Sequence, residues 1–232
     1  MKLEGLTVVD LSLFLPGPAA TQIMADHGAR IIKVENPRAP EPTRSADAFP
    51  WQQGGQTVMF RNTQRGKQSI ALDLKTEAGK RALLALAKTA DVVVEAFRPG
   101  VAARLGIDYA TLSADNPGLV YCSISAFGQT GPWCDRPAHD TATVAAAGIL
   151  DVTRSPEGTA GPAIIGVPIA DMLASNLALS DILMALLRRQ TTGQGDFVDI
   201  SMFESVLAAS PNIMGPVFGG DQAPERLKER TH

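Results

Sequence analysis

The chain has 232 residues, 45% hydrophobic and 19% charged, with 21 Lys and Arg against 24 Asp and Glu for a formal net charge of −3. That length and composition fit a globular domain with a core of its own and exclude a disordered chain. Both charge signs are mixed along the sequence, so the basic face of a nucleic-acid binder is missing. Cys122 and Cys134 are spaced neither as a metal site nor as a disulfide framework, which predicts reduced thiols in a cytoplasmic protein and no metal. The N-terminal MKLEGLTVVDLS has an early acid and a short apolar run, so no signal peptide is expected. No apolar stretch is read as reaching the ~20 residues that a membrane helix needs.

Strand and helix patterns alternate along the chain. LTVVDLS (6–12) reads as a buried strand, GPAATQIMADHGA (17–29) as a helix with Pro18 in its first turn and Gly28 at its end, and RIIKVE (30–35) as a strand. These three span the length of a βαβ unit. A polar, Pro-rich loop follows from Asn36 to about Thr57. SIALDL (69–74) alternates as a strand, and TEAGKRALLALAKTA (76–90) is an amphipathic helix with Thr76 as its cap. DVVVEAF (91–97) and GLVYCSIS (118–125) are strands, with a short helix from Val101 to Leu105 between them. FGQTGPWCDRP (127–137) is a loop, ATVAAAGIL (142–150) a helix and TRSPEGTAGPA (153–163) a surface turn. A long helix from Asp171 to Gln190 is closed by Arg188, Arg189 and Gly193. DFVDISM (196–202) is the last strand, and a helix starts near Phe203. The rhythm predicts an α/β fold with a mostly parallel sheet. Residues 1–215 form one domain, and 216–232 form a polar tail or the start of a linker.

Three places carry candidate chemistry. The turn after the first strand, LFLPGPAAT, has neither the GxGxxG spacing nor a Walker lysine, so it is no dinucleotide or P-loop motif. In GVPIADMLAS (166–175) a single carboxylate, Asp171, stands at a helix start in a neutral apolar run. Asp is among the best N-caps; the same position would also hold an ionised nucleophile at the positive helix end. One oxygen cannot serve both roles fully. His139 in RPAHD follows a Gly/Pro loop, where functional side chains concentrate, although a structural histidine is the plainer reading; His27 sits at a helix end and His232 is terminal. Arg98 and Arg104 follow a strand end, where α/β folds bind ligands, and are equally read as surface charges. No GxSxG elbow accompanies His139, so a Ser-His-Asp triad is not expected.

Taken together the blocks LEGLTVVDLSLFLPGPAATQIMADHGARIIKVENP, RGKQSIALDLKTEAGK, ADVVVEAFRPGVAARLG, NPGLVYCSISAFGQTGP and RRQTTGQGDFVDISMFESVL resemble, in order, those of the family III CoA-transferases, the formyl-CoA and carnitine CoA-transferase group. The resemblance implies a Rossmann-like large domain. It also implies a coenzyme A thioester as substrate with no tightly bound cofactor, a carboxylic acid acceptor and an interlocked homodimer. It puts the family's nucleophile on Asp171, which forms an aspartyl anhydride and then an aspartyl-CoA thioester. It puts CoA contacts on Leu13, Phe14, Leu15, Pro16, Arg38, Leu72, Phe97, Arg98 and Arg104. Two positions depart: Ala96 stands where the family often has Asn, and Asn36 where a basic residue often follows KVE. His139 would orient the substrate. The same superfamily includes α-methylacyl-CoA racemase, in which a GHD histidine and the aspartate exchange an α-proton; AHD at 138–140 is similar. This is the first alternative. The second is a truncated, non-catalytic CoA-binding fragment, because family members are longer and continue into a small second domain.

Overall fold

Val8, Val9 and their β-branched neighbours form β1 (Thr7–Asp10), which leads through a short turn into α1 (Pro16–Asp26). Pro16 starts that helix, where a proline's missing N–H costs nothing, and Gly28 ends the unit at φ 101. The structure is a computed structural model describing residues 1–45, 47, 49–153, 162–220 and 222. Most of the turn read at 153–163 and nearly all of the tail beyond residue 220, His232 included, lie outside the described residues. After β2 (Arg30–Glu35) come a 3-10 turn (Pro42–Arg44), the hairpin β3 (Gln52–Gln53) and β4 (Gln56–Thr57), α2 (Val58–Gln64), β5 (Gln68–Ala71) and α3 (Glu77–Ala87). The Thr76 hydroxyl accepts from the Gly79 N–H at 3.1 Å, so it caps α3 as the sequence predicts. Then follow β6 (Val92–Glu95), α4 (Val101–Leu105), α5 (Tyr109–Asp115), β7 (Val120–Ser125), α6 (Asp140–Ala146), α7 (Ile149–Val152), α8 (Ile169–Thr192), β8 (Asp196–Ser201), α9 (Met202–Ala208) and α10 (Pro211–Gly220). The first five residues of the tail read at 216–232 are therefore helical.

Six strands pair in the order β5-β2-β1-β6-β7-β8, every pairing parallel. This is the Rossmann-like α/β class expected from the sequence. The strand order reverses between β1 and β6, so the turns after these two strands diverge and leave a crevice at their carboxyl ends, where open α/β sheets bind ligands.

Alternate residues of the buried strands feed two cores. Val8, Ile31, Val94, Cys122 and Val198 face α1, α6, α8 and α9; Val9, Val93 and Tyr121 face α3 and α5. On α8 the buried face runs Ala170, Ala174, Ala178, Ile182 and Ala185. Its small residues let the helix lie close to the sheet and to α1. At 24 residues α8 is, by length and composition, long enough and apolar enough to cross a membrane, which corrects the reading that no such stretch exists. In this fold it packs on β7, β8 and α1, leaving Leu177, Met184 and Leu187 exposed.

Candidate active site

The β1–α1 turn forms one side of the crevice. Phe14 has φ 63, the one positive φ outside glycine among the described residues. A side chain in this left-handed region is strained, and here the ring meets His139 edge-on, with centroids 5.9 Å apart. Gly17 follows within α1, where a Cβ would stand 2.2 Å from Ser12 Cβ, so only glycine lets the helix start this close to the turn.

The starts of α6 and α8 form the opposite side. His139 occupies the N-cap position of α6 without a capping side-chain bond, leaving its exposed imidazole toward the crevice rim. Asp140 begins α6 and reaches across to α8: its Oδ1 accepts from the Ala170 N–H at 2.7 Å and from the Asp171 N–H at 3.1 Å. The capping reading of Asp171 is thereby overturned. Helix α8 begins two residues earlier than read, at Ile169, and the carboxylate that takes up its free N–H groups belongs to Asp140. Asp171 sits in the first turn of α8, and among the described residues its carboxyl has no hydrogen-bond partner. Burial, with the Asp140 carboxylate beside it, pushes its pKa up to about 7. A carboxylate so placed is more basic than an ordinary aspartate and is half ionised near neutrality.

Asp171 and His139 line one cavity of about 630 Å³, together with Leu13, Phe14, Leu15, Pro16, Phe97 and Arg98. Eight of the residues singled out from the sequence thus converge. Leu72 lines an adjoining space of about 120 Å³, shared with Leu13 and Phe97. Arg38 and Arg104 line neither space among the described residues; Arg38 is exposed, 4.0 Å from Asp73. The sequence reading missed Asp140 as a cap, and also the wall residues Phe49, Met59, Ser125, Cys134, Arg136 and Met202. An acid in the first turn of a helix was a signal for Asp140. Nothing local marks Phe49, in the stretch read as a polar loop, or Met59, in the first turn of α2. The Gly/Pro loop is pinned by Trp133, stacked edge-on against Phe127 and Phe203 at 5.4 and 5.6 Å, with the Arg136 guanidinium 4.9 Å over its ring.

The chain is 39% identical over 227 residues to the acetyl-CoA:oxalate CoA-transferase of Acetobacter aceti, covering 98% of this chain and 57% of that protein. It is 37% identical to the succinate–glutarate CoA-transferase of Agrobacterium fabrum, covering 91% of this chain and 54% of that protein. The crystal structure of a CAIB/BAIF family protein from Brucella suis superposes with a TM-score of 0.89 at 36% identity, over 97% of this chain and 59% of that one. The chain therefore spans a little over half the length of these relatives. The sequence model of CoA-transferase family III matches residues 3–232, and on that match the chain belongs to CoA-transferase family III.

Proposed function

We propose that this chain carries the nucleophilic half of a CoA-transferase that moves coenzyme A from an acyl-CoA to a carboxylic acid, with Asp171 as nucleophile. The observation that carries the reading is the division of labour between two carboxylates. Asp140 takes up the Ala170 and Asp171 N–H groups of α8, and among the described residues the Asp171 carboxyl has no hydrogen-bond partner and is made more basic by burial. The Asp171 carboxylate attacks the thioester carbonyl; the C–S bond breaks, CoA leaves as thiolate and an aspartyl anhydride remains. The thiolate attacks the aspartyl carbonyl, releasing the donor acid and leaving aspartyl-CoA. The acceptor carboxylate then displaces CoA thiolate to give a second anhydride. Thiolate attack on the acceptor's acyl carbon forms the new acyl-CoA and restores Asp171. His139, across the cavity, orients the acyl group, and the Leu13–Pro16 turn and Phe97 flank the thioester arm. Two relatives are named for transfer involving oxalate or succinate and glutarate, which supports a carboxylic acid as acceptor. We place the reaction in the cytoplasm, in keeping with the free thiols of Cys122 and Cys134, and in a homodimer, for which the exposed apolar side of α8 offers a surface.

The test is peptide mass spectrometry after brief incubation with a panel of acyl-CoAs, with hydroxylamine as the trap. An acyl, CoA or hydroxamate adduct on Asp171, absent from the Asp171→Asn protein, is expected. No adduct at any acyl-CoA, on this chain and on a longer chain alike, overturns the covalent route. α-Proton exchange in deuterated water without an adduct would assign His139 and Asp171 to racemase chemistry instead.

A further inference from the structure

The turn carrying Leu13–Pro16 is short and sits at the point where the strand order reverses, yet it holds Phe14 in a conformation that side chains avoid. Such strain persists only where the surroundings over-determine it. Behind the turn lies a set of buried ions, each bonded to turn backbone or to another member of the set. Asp10 is fully buried; its Oδ1 accepts from the Ser12 N–H at 2.9 Å and from the Ser12 hydroxyl at 2.5 Å, and its Oδ2 from Thr21 at 2.7 Å and Lys67 at 3.1 Å. Lys33, 2% exposed, donates to the Ser12 carbonyl and pairs with Glu41 Oε2 at 3.3 Å. Glu41, 1% exposed, accepts the Phe14 N–H at 3.0 Å through Oε1. Among the described residues its Oε2 has no hydrogen bond, and the Lys33 ammonium is the cation that faces it. Lys67 closes the set by donating to the Pro18 carbonyl at 2.9 Å.

Ions this deeply buried are costly unless paired, and hydrophobic residues would fill the same space at less cost. Their common feature is what they hold: the N–H and C=O of Ser12, the N–H of Phe14 and the first turn of α1. We infer that Asp10, Lys33 and Glu41 are positioning residues for the Asp171 cavity: they clamp the backbone of the β1–α1 turn so that the Phe14 ring stands against His139. Glu41 comes from the stretch between β2 and α2, so this segment serves the site through its interior rather than as a surface loop. The clamp acts on the wall that faces His139 and Asp171 without touching either residue.

The test uses the whole chain with Glu41→Ala, Glu41→Gln and Lys33→Met. Glu41→Gln keeps an oxygen for the Phe14 N–H but gives up the ion pair; Glu41→Ala gives up both. Hydrogen–deuterium exchange is read on a peptide spanning residues 11–15, with peptides from β7 and α8 as references. In Glu41→Ala this peptide is expected to exchange about ten- to a hundredfold faster, with a smaller rise in Glu41→Gln and Lys33→Met and none in β7 or α8. Diethyl pyrocarbonate should modify His139 faster in the same order, while His27, at the far end of α1, keeps its rate. Unchanged exchange at 11–15 overturns the inference. A uniform acceleration in every peptide also overturns it, because that outcome describes lost stability rather than a local clamp. If Glu41→Ala does not fold, the other two variants carry the comparison. Neither readout requires that the chain transfer CoA, so absence of adducts on Asp171 bears on the proposed function alone.

Discussion

Asp171→Asn removes a charge that the fold holds at a cost, and it should therefore stabilise the protein while abolishing adduct formation. The Asp171 pKa stands at about 7 against an unperturbed 3.8, raised by burial and by Asp140. Below pH ~4 the carboxyl is neutral in both folded and unfolded chains and contributes nothing. Between ~4 and ~7 the unfolded chain has released its proton and the folded one has not, so stability falls as pH rises. Above ~7 the penalty is complete. A shift of roughly three units corresponds to about 4 kcal/mol at full weight. Because the carboxyl is only half-buried and lines an open cavity, screening reduces this to about 1–2 kcal/mol. The asparagine variant should thus match the wild type at pH 4 and exceed it at pH 8 by that amount, or by about 2–8 °C in Tm. Urea melts at pH 4, 6 and 8 read the difference directly. Glu95, also pushed up to about 7, chiefly by burial, adds its own slope to both proteins and cancels in the comparison. Equal stability at pH 8, or a loss there, would refute the account of a carboxylate left without a partner.

Four further outcomes follow from the contacts around the cavity. Asp140→Asn keeps an oxygen for the Ala170 and Asp171 N–H groups but drops the charge, so stability should hold while the pH midpoint of Asp171 acylation moves down, read as adduct yield against pH. Asp140→Ala loses the cap as well and should cost about 1 kcal/mol in a urea melt. Adduct yield in the wild type should rise with pH through about 7, since only the ionised carboxyl attacks; a flat profile from pH 5 to 9 would contradict the raised pKa. Gly17→Ala drives a methyl against Ser12 Cβ, which is fully buried with its hydroxyl bonded to Asp10, and should cost about 1–3 kcal/mol.

The parts of this molecule that the sequence reveals are those governed by short-range pattern. Strands β1, β2, β6 and β7 are largely apolar runs, as parallel strands buried on both faces must be, while the edge strand β8 alternates in DFVDIS; all five were legible with ends shifted by no more than two residues. Helices α2 and α5 were not, because VMFRNTQ and YATLSAD are too short and too polar to show a periodic face. The site divides in the same way. Asp171 and His139 stand out locally, one as a lone acid in an apolar run and the other beyond a Gly/Pro loop. Whether Asp171 must cap its helix is decided by Asp140, which lies 31 residues earlier and reaches it through the packing of α6 on α8. Likewise Glu41 lies in a polar, Pro-rich stretch with no local signal to single it out. It is buried because Lys33 approaches from β2, and it matters because the Phe14 N–H, 27 residues back, points at it. A carboxylate's role in this fold depends on which N–H groups and cations the other elements bring to it. Asp10, Glu41, Asp140 and Asp171 carry the same functional group, yet three accept hydrogen bonds that hold the frame, while the fourth has no hydrogen-bond partner among the described residues.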